Sequence, residues 1–152
     1  MYAFILAVHN IVRWVVLILG FLAVLRAFIG WFGKHAWIPA DPKIGTFFTS
    51  AIDTQLLLGL VLYIFLSPFA LQAIRTIGLS GVMAQPVDRF FAVEHLFYML
   101  LAVVFAHLGN ALPKKVDNPV DKHRRAAIWF GLAFLVILLG MPWFRPLLPG
   151  LG

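Results

Sequence analysis

Six ionisable side chains stand inside otherwise apolar runs of this chain: His9, Arg13, Asp53, Glu94, His95 and His107. On insertion scales each would cost about 2.5–3.5 kcal/mol at the centre of a membrane helix, so each calls for a partner or a function. A helical rise of about 1.5 Å per residue places His9 about 10 Å and His95 about 13 Å in from the same side. Two neutral imidazoles at one level on separate helices are the arrangement that axially ligates a haem b iron. Arg13, one turn below His9, and Arg89, near the interface, are the cations that could meet the propionates. The plainer alternative is that both histidines hydrogen-bond to side chains or carbonyls in a polar seam.

His107 lies on the same run as His95 but about 120° around the helix and about 18 Å deeper, which makes it a weak candidate for a second iron. It could meet His35 or His123, two residues more simply read as solvated among basic neighbours. Arg13, Asp53 and Glu94 form a second constellation near mid-depth. Its plain reading is a structural charge network, and its functional one a proton or quinone site. Thr54 and Gln55 add polar groups nearby on diverging faces. The aromatic residues read as packing and interfacial belts. The methionines are too scattered for copper handling, and no phosphate loop, nucleophile elbow or zinc pair of histidines is present.

The elements that must position these residues follow from composition. Of the 152 residues, 62% are hydrophobic and 12% charged, against about 25% charged in soluble domains, which excludes a water-soluble globule. The reading is an all-α integral membrane protein, a single domain over 1–152 built as a four-helix transmembrane bundle. The expected spans are about 2–32, 44–66, 86–112 and 122–144. Asp41-Pro42, Gln85-Pro86 and Asn118-Pro119 supply cap-then-proline openings. Leu71, Ile74 and Ile77 share one face of a short interfacial helix between the second and third spans.

Without cysteine, disulfides, iron–sulfur clusters and thiol catalysis are excluded. The basic residues lie beside apolar runs, where they set topology and meet lipid head groups, so nucleic acid is not an expected partner. Lys34, Lys43, Lys114, Lys115, Lys122, Arg124 and Arg125 gather at one end, which predicts that both termini face away from the cytoplasm. The opening residues carry no basic segment ahead of the apolar run, so the first helix is expected to be retained.

His9-Asn10-x-x-Arg13-Trp14, Gln55-Leu56-Leu57-Leu58-Gly59-Leu60 with Tyr63, Arg89-Phe90-Phe91-Ala92-Val93-Glu94-His95, Lys122-His123-Arg124-Arg125 and Pro142-Trp143 together resemble a family of small bacterial four-helix membrane proteins labelled cytochrome b or cytochrome b-like. The resemblance covers nearly the whole chain. It implies a b-type haem protein of the bacterial inner membrane, with His9 and His95 as ligands, although the four spaced histidines of two-haem bundles are missing. The function expected from the residues and the resemblance is one-electron transfer to or from quinone or a partner redox protein, by a carrier rather than an enzyme. The alternative is a haem-free accessory or assembly subunit packed against a larger respiratory or photosynthetic complex. A third class, proton transport through Arg13, Asp53 and Glu94, fits a four-helix chain without repeats poorly.

Overall fold

Asn118 opens the last helix as its place before Pro119 predicts. Its side-chain oxygen accepts from the backbone N–H groups of Val120 and Asp121, which a helix start otherwise leaves unpaired. Asn118→Ala should therefore lower stability by about 1 kcal/mol, measured as a shift of the unfolding transition in mild detergent. Asp41 behaves differently from the expected cap. The helix begins two residues earlier than that cap implies, at Ala40, and the Asp41 carboxylate reaches back to the Ile38 N–H at 2.7 Å and across to Arg26 Nε at 2.6 Å.

The computed structural model describes residues 1–145; the expected single domain extends over 146–152 as well, which lie outside the described residues. Among the described residues the chain is all-helical, with no strand. The elements are α1 (Tyr2–Phe32), α2 (Ala40–Leu66), α3 (Leu71–Ala84), α4 (Pro86–Lys115) and α5 (Pro119–Leu139). Of these, α1, α2 and α4 are long and apolar enough to cross a membrane. The fourth expected span is shorter than its anticipated 122–144, since α5 ends at Leu139. Asp121, Lys122, Arg124 and Arg125 charge its first turns and leave an uninterrupted apolar run only from Ala126 onward.

α1 packs on α2 and α5, and α4 packs on the same two helices, so the order around the core is α1, α2, α4, α5. The interior is made largely of small residues, with Ala23, Ala27, Ala102, Ala106, Ala127 and Ala133 all buried around Phe48 and Phe130. Larger apolar side chains such as Phe21, Phe47, Leu57, Phe97 and Leu135 point outward. Small residues inside let helix backbones approach closely, and at Gly30 this is obligatory: a Cβ there would fall within the ring of His123 on α5.

The expected short helix between the second and third spans is longer than its apolar pattern indicated. It runs from Leu71 to Ala84 and is broken at Gly78, whose φ of 74° and ψ of 166° suit glycine and interrupt the helix. Two wide π turns flank it, Leu62–Leu66 at the end of α2 and Phe90–Glu94 within α4. The Tyr63 hydroxyl in the first donates to the Ala92 carbonyl in the second at 2.9 Å, tying the two irregular turns together. Such turns recur at functional sites because they reorient the side chains that follow. Here the residue that follows is His95.

Candidate ligand cavity between His9 and His95

A cavity of about 700 Å³ opens between α1, α2 and α4 at the end of the bundle away from the lysines. Its wall is mostly apolar and includes Leu6, Leu56, Leu60, Phe91, Met99 and Ile137, with His9, Asn10, Arg13, Gln55, Tyr63, Ser67, His95 and Arg145 among its polar members. A concave apolar space with few convergent polar groups, in this size range, is the usual form of a small-molecule or cofactor site.

His9 and His95 face one another across it, with ring centroids 6.5 Å apart and planes inclined by 69°. A metal between two imidazoles requires bonds of about 2 Å on each side, and adding about 1 Å from each nitrogen to its ring centre gives a separation of about 6 Å. His95 Nδ1 lies 2.7 Å from the Gly140 carbonyl, which can only accept, so Nδ1 carries the hydrogen and Nε2 keeps its lone pair. A backbone carbonyl on the far nitrogen is the usual support of a ligating histidine.

His9 is held from α2. Its Nε2 lies 3.1 Å from the Gln55 amide, its Nδ1 is buried with no hydrogen-bond partner, and a Cβ at Gly59 would approach its Cε1 at 3.3 Å. Gln55 Oε1 is likewise buried without a partner. Turning the amide over would let Oε1 accept from His9 Nε2–H and leave Nδ1 with the lone pair, a choice set by the hydrogen-bond network. Gly59 leaves room for either tautomer. The donor set, the ring spacing and the cavity volume fit a bis-histidine haem. Iron held through His9 Nε2 would require the ring to give up its present hydrogen bond, whereas iron held through Nδ1 would not.

The cations differ from expectation. Arg13 does line the cavity, and its residue is buried. Arg89 does not line it, because its Nε bonds Glu94 at 2.7 Å across the π turn, with both side chains partly exposed. The second cavity cation is Arg145, whose guanidinium lies 4.6 Å and 4.5 Å from the ring centres of Phe69 and Phe91. Sequence reading missed Arg145 because it follows the last helix, where a basic residue reads as an interface marker. Gln55 carried a signal, as an uncharged amide within a leucine-rich helix.

The expected network of Arg13, Asp53 and Glu94 is not assembled. Glu94 pairs with Arg89, and Asp53 Oδ1 meets His107 Nε2 at 2.9 Å on the outer face of α2 and α4. Divergent faces separate the three charges. His107 therefore approaches neither His35 nor His123, and His123 is fully buried rather than solvated. Its Nε2 lies 3.4 Å from the Ala36 carbonyl and 3.9 Å from Asp41, with Trp37 edge-on at 4.8 Å. Among the described residues no group of three or more His, Asp or Glu side chains is placed to hold a free metal ion. Compared with protein-family models, curated proteins and solved structures, the chain matches none.

Proposed function

We propose that this protein is a membrane-embedded four-helix haem b protein that carries single electrons, with both termini on the non-cytoplasmic side of a bacterial inner membrane. Membrane insertion rests on three helices of sufficient length and apolarity, and on an interior of small residues with large apolar side chains turned outward. The fourth crossing would be α5, whose charged first turns would sit among head groups. The basic end formed by Lys34, Lys43, Lys114, Lys115, Lys122, Arg124 and Arg125 supports the orientation.

The observation that carries the cofactor reading is the pair of imidazoles at 6.5 Å on the wall of a large apolar cavity. His9 and His95 would hold the iron, and haem would supply one-electron chemistry without protein-borne redox groups. Gly140 fixes the tautomer of His95 through its carbonyl, and Gln55, with its amide turned so that Oε1 accepts from Nε2–H, would leave His9 Nδ1 with the lone pair. Arg13 and Arg145 would meet the propionates, since guanidinium pairs with carboxylates through two parallel hydrogen bonds. Phe91, Met99 and the leucines give the site its apolar wall. A quinone or a second redox protein would exchange electrons with it.

The test is a dithionite-reduced minus oxidised absorption spectrum of the full chain, purified in mild detergent after expression with haem supplied, with haem counted per chain. A six-coordinate b-type spectrum near one haem per chain is the expected result. A flat spectrum would overturn the reading in favour of a haem-free accessory subunit of a larger membrane complex.

A further inference from the structure

The Asp53–His107 pair sits where a lone membrane protein should not carry one. Its side chains are 44% and 53% exposed on the outside of the bundle, with Leu57, Leu100 and Val104 also exposed on the same face. Counted from Lys43 and Lys114 at about 1.5 Å per residue, Asp53 lies about 15 Å and His107 about 10 Å into the apolar layer. Ionisable groups at such depth face a protein interior or a water-filled cavity rather than lipid, because hydrocarbon offers no hydrogen bonds. The internal bond uses Asp53 Oδ1 and His107 Nε2, so Asp53 Oδ2 and His107 Nδ1 are not engaged by it, on side chains that are about half exposed.

We infer that this face of α2 and α4 is the interface with a second copy of the chain, related by a two-fold axis passing beside the Asp53–His107 pair. A two-fold interface requires a self-complementary patch, and a carboxylate beside an imidazole is one: each copy offers the acceptor that the other's donor needs. The second ring nitrogen of each His107 can bond the carboxylate of the other copy, so that the four groups close a ring. Any other partner would have to bring a matched donor and acceptor to the same depth, whereas a second copy carries them already. Thr46, Ser50 and Thr54, spaced four apart and all exposed, leave room beside the pair for the close backbone approach such bonds require.

The inference rests on the membrane reading and is independent of the cofactor. The chain has no cysteine, so Ser50→Cys and Val104→Cys report cleanly, with Leu135→Cys on exposed α5 as the reference. Carbonate extraction of the expressing membranes first checks insertion, and oxidative cross-linking in the same membranes then reads pairing. The expected result is a cross-linked dimer from positions 50 and 104 but not from 135. Adding Asp53→Leu with His107→Leu should raise the dissociation constant about tenfold, equivalent to about 1.4 kcal/mol. The exchanged pair Asp53→His with His107→Asp should restore dimerisation, which separates loss of the interface from loss of the fold. A chain that extracts with membranes would overturn the inference, but leave the membrane reading standing, if it cross-links equally at 135, fails at 50 and 104, cross-links there to a different protein, or dimerises unchanged after the double leucine replacement.

Discussion

Replacing His95 by Ala is expected to abolish the six-coordinate haem signal, with haem per chain falling at least about tenfold, a loss of about 1.4 kcal/mol or more in affinity. The substitution removes the ring whose Nε2 lone pair is set free by the Gly140 carbonyl, and leaves the thioethers of Met99 and Met141, rather than a second imidazole, on that part of the wall. It also leaves the Gly140 carbonyl without its side-chain donor, at a cost of about 1–3 kcal/mol, so helix content and the unfolding transition are followed alongside the spectrum. His35→Ala, in the exposed connection after α1, provides the reference in which the spectrum is retained. A His95→Ala protein that keeps a six-coordinate spectrum would remove His95 from the ligand set. One that loses its helices as well as its haem would be read through His9→Ala, which removes the opposite ligand without disturbing Gly140.

The second large effect belongs to the other end of the bundle. Asp41 is buried, with its side chain 2% exposed, and its charge is met by Arg26 Nε at 2.6 Å and by the Ile38 N–H at 2.7 Å. Arg26→Ala should lower stability by about 3 kcal/mol. Breaking a buried pair by removing one partner typically costs about 3–5 kcal/mol, because the remaining charge is stranded. The low end applies because the Arg26 side chain is 32% exposed and Ile38 continues to bond the carboxylate. Asp41→Asn removes the charge to be stranded, so Arg26→Ala combined with Asp41→Asn should cost clearly less than the two single changes added together. Chemical unfolding in mild detergent measures all three. Additive costs would show that Arg26 and Asp41 do not act as a pair. The same cycle touches His123, whose ring is locked between Gly30 and Trp37 beside Asp41.

Much of the architecture was legible in the residues. The apolar run from Tyr2 to Phe32 became one 31-residue helix, because nothing inside it caps or breaks a helix. Asn118-Pro119 marked its helix start for the same local reason. Ends were read less well where tertiary contacts act. Asp41 looked like a cap by type and position, but Arg26, fifteen residues away in sequence, draws its carboxylate into an ion pair inside the first turn. Gly78 marked a loosened chain, while the helical turns after it gave no clear periodic signal.

The amino-acid sequence by itself determined that the chain is helical, that its long apolar runs suit lipid better than water, and that His9 and His95 stand at similar levels. Each of these follows from composition or from the fixed rise of a helix, which need no knowledge of neighbours. Only the tertiary structure decided which charges meet. Depth along a helix is set by counting residues, whereas direction around it depends on which neighbour each face packs against. Asp53 and His107 were therefore sent outward together, Arg89 was joined to Glu94, and Gln55 and Arg145 were brought to a cavity whose two histidines the sequence alone could place only at the same height.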